Sequence, residues 1–352
     1  MSFPPTRYRL SAAIHCRKIE EGGDDAQPDY SDARSLIGAG VSFARAEVVN
    51  KDELPSRIEL HAIPTLWISD QQFLAGDDKG KQVTVAGELR IAQRQGKTPI
   101  VILMHGSGGI GPNVPFWVRE LNGMGISTFT IDGMSGRGLR GVGTNQAILG
   151  RLNFIIDIYR SLEIMAKHPR VDPERIALMG FSRGGQAALY ASVKRFDKLW
   201  NKSGAEFAAY TPFYPDCATT YQSDVEVADK PIRIFHGTPD NYNPVDTCKA
   251  FVARLNDAKR DVELTEYPNA PHGFDNPLGA VPAAVAKDNQ SVRDCTIREA
   301  DVGNLINTAT NVTFTFQDTC VKLNPLVGAD QEAREAARKG VTSFLRSTFK
   351  LE

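Results

Sequence analysis

Four mostly apolar segments limit what this chain can fold into. They read PIVILM at 99–104, STFTI at 127–131, RIALMG at 175–180 and PIRIF at 231–235. Strands that are buried on both faces have this composition. Helix-like stretches separate them, such as NFIIDIYRSLEIMAK at 153–167, in which apolar residues recur every three or four positions. Repeated strand–helix–strand units predict a mostly parallel, twisted sheet with helices on both faces.

Both ends of this pattern carry their own signals. The segments RIELHAI at 57–63 and QVTVAGELRI at 82–91 alternate polar and apolar residues, which predicts antiparallel entry strands. Near the end of the chain, one helical face carries Ala333, Ala336, Ala337, Val341, Phe344 and Leu345. We therefore expect an N-terminal extension over 1–54 and one domain over 55–350. A stretch rich in Asn, Pro and Thr, at about 275–328, is interpreted as an insertion.

Composition argues against several classes of partner. The 41 basic and 42 acidic residues give a net charge of −1, which provides no field for nucleic acid or an anionic membrane. No segment approaches the roughly 20 apolar residues that a membrane helix needs. The six histidines show no pair at metal-binding spacing, so no metal and no cofactor are expected. A small, roughly neutral substrate fits best.

The strongest local motif is Gly180-Phe181-Ser182-Arg183-Gly184. It follows an apolar strand and precedes a helix-like stretch, which is the context of a nucleophile elbow. The turn is so sharp that the residues two positions before and two positions after the serine must be small, as Gly180 and Gly184 are. Ser182 is therefore the predicted nucleophile of an α/β-hydrolase fold.

The same fold predicts an acid and a histidine after later strands. Asp240 follows the strand PIRIF in the segment HGTPD, and His272 follows the strand VELTEY in the segment PHGF. Neutral His272 would accept the serine proton, and Asp240 would hold the imidazole in the correct tautomer. Asp216 and Asp246 are competing candidates for the acid.

A glycine-rich loop, His105 to Gly109, follows the strand PIVILM. We expect the backbone N–H groups of Gly108 and Arg183 to form the oxyanion hole. The loop also fits a dinucleotide fingerprint from Gly106 to Gly111, with Asp132 about 20 residues on. Two prolines at 112 and 115 should obstruct the helix which that fingerprint requires.

Together these motifs resemble the dienelactone hydrolase family. The segments that carry the resemblance are VTVAGELRI, VILMHGSGG, DGMSGRG, RVDPERIALMGFSRGGQAAL, HGTPDNYNPV and YPNAPHGF, within residues 57–350. The namesake enzymes use a cysteine nucleophile and a glutamate in the loop occupied here by His105 to Gly109. This chain has Ser182 and no such glutamate, so the resemblance implies a serine esterase.

The resemblance carries three further expectations. Arg137 and Phe181 should lie near the mouth of the site and contact substrate. Exported members of the family pair cysteines at positions like Cys217 with Cys248 and Cys295 with Cys320, which would leave Cys16 unpaired. Such disulfides imply a periplasmic or secreted protein, although the first residues contain no secretory signal.

The sequence therefore predicts a serine hydrolase that cleaves a small carboxylic ester through an acyl-enzyme. Two alternatives stay open: a peptidase or amidase that uses the same triad, and a catalytically silent binding protein with the same fold.

Overall fold

The computed structural model describes residues 55–351. The predicted extension at 1–54 lies outside the described residues, as does Cys16. The domain boundaries stay a prediction.

An eight-stranded sheet forms the centre of the described part. Its strands are β1 (Arg57–Trp67), β2 (Lys81–Ile91), β3 (Thr98–Met104), β4 (Ser127–Asp132), β5 (Val171–Phe181), β6 (Ala209–Phe213), β8 (Ile232–Gly237) and β9 (Val262–Tyr267). They lie in the order β1-β2-β4-β3-β5-β6-β8-β9. Strand β2 pairs antiparallel with β1 on one side and with β4 on the other, and all later pairs are parallel. This is the α/β-hydrolase fold, as predicted.

Seven helices accompany the sheet in this region. They are α1 (Asp70–Ala75), α2 (Asn113–Gly123), α3 (Asn153–Ala166), α4 (Arg183–Tyr190), α5 (Lys194–Trp200), α6 (Val245–Asp257) and α7 (Gln331–Phe349). Short 3₁₀ turns occur at Ser135–Arg137, Gln146–Ile148 and Asp301–Gly303. None of the described helices combines the length and apolar character that crossing a bilayer would require.

The pleat of β3 explains how the two faces are covered. Every residue of this strand is buried. Ile100, Ile102 and Met104 join a core that includes α3, whereas Val101 and Leu103 join a second core that includes α2 and α7. Since successive side chains of a strand point to opposite faces, one continuous apolar run fills both cores.

The closing helix forms where the sequence predicts it, but its buried face is narrower. Asp330 caps the helix by accepting a hydrogen bond from the Ala333 N–H at 2.8 Å. The buried positions are Ala333, Ala337, Val341, Leu345 and Phe349. The prediction for Ala336 was wrong: it is exposed, because a spacing of four residues holds one row of side chains against the sheet.

The residues between the last sheet strand and α7 form short paired strands. These are β10 (Ala284–Val285), β11 (Gln290–Ser291), β12 (Ile297–Glu299), β13 (Leu305–Asn307), β14 (Val312–Thr313), β15 (Lys322–Leu323) and β16 (Leu326–Val327). A further two-residue strand, β7 (Thr219–Thr220), pairs with β12. Disulfides join Cys217 to Cys248 and Cys295 to Cys320, which confirms the predicted pairs. At β16 this segment returns to the loop that follows β9, where the Gly328 N–H donates to the His272 carbonyl.

Candidate active site

Ser182 occupies a sharp turn between β5 and α4. Its backbone has φ 56° and ψ −117°, a conformation that L-residues rarely adopt. A side chain at Gly180 would collide with the Gly184 carbonyl oxygen, and one at Gly184 would collide with the carbonyl oxygens of Met104 and His105. Both flanking glycines are therefore required by close backbone packing, as the sequence predicts.

A continuous line of hydrogen bonds runs from Ser182 through His272 to Asp240. The Ser182 Oγ lies 2.9 Å from His272 Nε2. On the other side of the ring, Nδ1 lies 2.7 Å from Asp240 Oδ2. Because a carboxylate only accepts, Nδ1 carries the proton and Nε2 offers its lone pair to the serine hydroxyl.

Asp240 is held by more than the histidine. Its Oδ1 accepts hydrogen bonds from the backbone N–H groups of Tyr242 at 2.8 Å and Asn243 at 2.9 Å. Burial raises the pKa of this carboxyl, but the charge of His272 and hydrogen bonds from His236 and His272 lower it by more. The net result is a pKa far below the ordinary value, so Asp240 is ionised at neutral pH.

The two competing carboxylates have other partners. Asp216 Oδ2 accepts from Arg151 at 2.6 Å, and Asp246 lies exposed on α6 beside Lys249. Of the three candidates, Asp240 is the one that lies within hydrogen-bond distance of the His272 ring.

Two tyrosines that sequence reasoning missed enclose the His272 ring. The ring centroids of Tyr214 and Tyr242 lie 4.7 Å and 4.6 Å from that of His272. Tyr214 also donates to Asp275 Oδ1 at 2.7 Å. Burial raises the pKa of Tyr214 most, and the charge of the nearby Asp275 raises it further. The Tyr214 hydroxyl therefore stays protonated. One sequence signal could have indicated that Tyr214 contacts His272. Tyr214 directly follows β6, and β6 lies between β5 and β8, the strands that lead to Ser182 and Asp240.

The glycine-rich loop is fixed from two sides. The buried His105 ring donates from Nδ1 to the Gly106 carbonyl at 2.7 Å and accepts at Nε2 from the Gly133 N–H at 3.0 Å. Burial lowers the pKa of His105, which favours this neutral form. Gly108 lines the same cavity, of about 230 Å³, as Ser182 and His272. Arg183 follows the serine as the first residue of α4.

The two prolines do not prevent a helix after the glycine-rich loop, contrary to the prediction. Helix α2 begins at Asn113, directly after Pro112, and contains Pro115 in its first turn. A proline is tolerated there because the first N–H groups of a helix have no partner within it. The nucleotide interpretation still lacks its acidic residue: Asp132 accepts from the backbone N–H groups of Met134 and Ser135.

Arg137 requires a correction. Its side chain is fully buried and forms a two-point ion pair with Asp157, at 2.7 Å and 2.9 Å. Further hydrogen bonds run to the carbonyls of Gly133 and Leu66, so the guanidinium braces the loop after β4 instead of reaching the mouth of the site. Phe181 does line the cavity, but its ring is 2% exposed and packs on Phe213.

One group of potential metal ligands lies on the outer part of the sheet. Glu59, His61 and His168 bring three ligand atoms within 4.8 Å of one another. However, His168 Nδ1 accepts from the Arg170 N–H at 3.2 Å, so Nε2 carries the proton that it shares with Glu59. A metal ligand would need a free lone pair at that nitrogen. Sequence spacing missed the cluster because β1 and the end of α3 are far apart in the chain.

A family model and one solved structure agree with the fold. Residues 144–298 match the model of the dienelactone hydrolase family, which confirms the resemblance over that stretch. The structure of P91, a dienelactone hydrolase-like promiscuous phosphotriesterase from metagenomic libraries, has a TM-score of 0.53 at 17% identity and covers 83% of this chain and 98% of that one. Est2, an esterase from Thermogutta terrifontis, has a TM-score of 0.44 at 18% identity, covering 55% and 82%.

A curated relative shares part of the sequence. It is the uncharacterized peptidase YuxL of Bacillus subtilis (strain 168), 22% identical over 64% of this chain and 41% of its own length. This chain therefore spans about two fifths of the length of the curated relative that it matches.

The packing around the turn at Ser182 predicts that replacing two glycines by alanine will reduce the stability of the protein by different amounts. Gly184→Ala should destabilise the protein by more than about 2 kcal/mol, because its methyl group meets backbone that cannot move aside. Gly108→Ala should change stability by less than about 0.5 kcal/mol, because none of the residues 55–351 other than its two chain neighbours has an atom within 4 Å of the added carbon. Urea unfolding curves measure both, and equal losses would contradict the packing account.

Proposed function

We propose that this protein is a serine hydrolase that cleaves a carboxylic ester of a small molecule, with Ser182 as nucleophile, His272 as base and Asp240 as the orienting acid. The observation that carries the proposal is the hydrogen-bonded line through these three side chains, at 2.9 Å and 2.7 Å. All three lie within the stretch that matches the hydrolase family.

The first half-reaction forms an acyl-enzyme. His272 Nε2 removes the hydroxyl proton of Ser182 while the serine oxygen bonds to the ester carbonyl carbon. The carbonyl electrons move onto oxygen, and the N–H groups of Gly108 and Arg183 stabilise the oxyanion. As the carbonyl re-forms, the bond to the alcohol oxygen breaks and the His272 imidazolium gives its proton to that oxygen.

The second half-reaction repeats these steps with water. His272 removes a proton from water, whose oxygen attacks the acyl carbon, and then returns the proton to Ser182 as the acid leaves. Asp240 stabilises the imidazolium in both halves and stays ionised throughout, which agrees with its lowered pKa.

Peptidase or amidase activity is the second candidate, because the curated relative is named as a peptidase. The same groups can cleave either bond. Which leaving group is accepted depends on the cavity around the site and not on the three reacting side chains.

We also propose that the protein works in an oxidising compartment, the periplasm or the outside of the cell. The two disulfides support this, because such bonds persist where thiols are not kept reduced. Its partner would be a small-molecule ester, without nucleic acid or a membrane.

Replacing the orienting acid should abolish most of the activity. Asp240→Asn is expected to lower kcat by about 10⁴-fold, because an amide that donates to His272 favours the wrong tautomer. Steady-state hydrolysis of p-nitrophenyl acetate measures the change. Asp246→Asn is the matched control and should retain full activity, since this carboxylate is exposed on α6. Similar rates for both variants would contradict the assignment.

Activity should fall toward acidic pH. The pKa of Asp240 is strongly lowered. Its ionised form, which stabilises the folded protein, is therefore fully present above the ordinary pKa of an aspartate. It is lost only as the pH falls through the lowered pKa. A fall in kcat/KM between about pH 8 and pH 5 would therefore report loss of the general base and not of the orienting carboxylate. A value of kcat/KM that stays constant over this range would rule out His272 as the general base.

The nucleophile should react with an active-site-directed probe. A fluorophosphonate is expected to label the wild type at Ser182 and to leave Ser182→Ala unlabelled, with the site located by peptide mass spectrometry. Absence of labelling would favour a catalytically silent binding protein. Parallel assays on an ester and its matching amide then separate the two candidate activities.

A further inference from the structure

A second, smaller cavity lies behind the serine. It has a volume of about 30 Å³ and shares Ser107, Ser182 and Tyr242 with the larger cavity that contains His272. Arg151, Arg183, Gln186, Asp216 and Gln290 also line it. At roughly 10–15 Å³ per water, this cavity has space for a group of about two to three non-hydrogen atoms.

Several side chains that line this cavity have hydrogen-bond donors without acceptors. Within residues 55–351, three buried nitrogens of its lining side chains have no protein partner: Arg151 Nε, Arg183 Nε and Gln186 Nε2. Their side chains belong to residues that are at most 4% exposed. Buried donors are normally paired, so three around one space indicate that a group with acceptor atoms belongs there.

The charges around the cavity also favour an acceptor that is negative. Arg151 is compensated by Asp216, with 2.6 Å between Nη1 and Oδ2. Arg183 instead donates to two neutral oxygens, Gln146 Oε1 at 2.7 Å and the Leu149 carbonyl. Burial lowers the pKa of Arg183 to about 10, which leaves the guanidinium charged at neutral pH. Within residues 55–351, the lining therefore carries one buried positive charge that forms no ion pair with a carboxylate.

The position of His272 decides which end of an ester reaches this space. The alcohol that leaves must receive its proton from His272, so it lies in the larger cavity that this ring lines. The smaller cavity is not lined by His272. Whatever enters it is attached to the acyl carbon.

We propose that the small cavity behind Ser182 binds a carboxylate on a short acyl chain, so that the preferred substrates are half-esters of small dicarboxylic acids. This inference rests on the proposed ester hydrolysis and names its substrate class. Arg183 would then contribute twice, through its backbone N–H to the oxyanion and through its side chain to the substrate carboxylate.

Three methyl esters that differ only in the group at the end of the acyl chain test the preference. Monomethyl succinate carries the carboxylate, methyl levulinate replaces it with a neutral acetyl group, and methyl butanoate has a methyl group there. The wild type should show a kcat/KM for monomethyl succinate at least about 10-fold above that for methyl butanoate, with methyl levulinate between them. Hydrolysis of all three at similar rates, or a preference for methyl butanoate, would overturn the proposal and leave the hydrolase function intact.

Two substitutions identify the groups responsible. In Gln186→Leu and Arg183→Met the ratio of the two rates, succinate over butanoate, should fall toward 1. Arg183→Lys should restore part of it by returning the charge. Gln222→Leu, on the exposed surface, is the matched control and should keep the wild-type ratio. A ratio that is unchanged in both cavity variants would overturn the assignment even if the wild type prefers the charged ester.

Binding without turnover separates this inference from the proposed reaction. Calorimetry with Ser182→Ala should show monomethyl succinate binding at least about 10-fold more tightly than methyl butanoate, whether or not the protein is a hydrolase. Acetate and chloride serve as further ligands. If they bind as tightly and monomethyl succinate does not displace them, the cavity is an anion site unrelated to substrate, and the proposal fails.

Discussion

The backbone turn at Ser182 is the constraint on which the rest of the site depends. With φ at 56°, this single residue connects the end of β5 to the start of α4. The turn is possible only because Gly180 and Gly184 let neighbouring backbone approach closely. It raises the hydroxyl above the edge of the sheet, and the strain is balanced by the burial of β5 and α4 on both sides.

Parallel strands deliver the other groups to the same edge. The carboxyl ends of β3, β5, β8 and β9 all point one way, so the loops that follow them converge. Asp240 and His272 are 32 residues apart in sequence and meet at 2.7 Å for this reason. The segment between His272 and α7 closes the site from the outside, where β16 lies alongside His272.

Much of this arrangement could be predicted because it depends on local patterns. Buried strands are uninterrupted apolar runs, and the elbow needs glycines at fixed positions around a serine. The choice of Asp240 over Asp216 depends on tertiary contacts, since both follow apolar strands. Arg137 shows the limit most clearly: its partner Asp157 is on α3, and nothing in the sequence near either residue indicates that pairing.

The features that sequence reasoning missed all involve side chains from distant segments. Tyr214 and Tyr242 enclose His272 from two different loops. The donors of the small cavity come from α4 and from the segment before α3, and their lack of partners is a property of the folded interior alone. Such sites follow from packing, which a linear pattern does not record.

A crystal structure of the protein after reaction with a small phosphonate ester would test the central claim most directly. The account predicts phosphorus bonded to the Ser182 oxygen and one phosphonyl oxygen about 3 Å from the backbone nitrogens of Gly108 and Arg183. An adduct on another residue, or a phosphonyl oxygen that points away from both nitrogens, would contradict it.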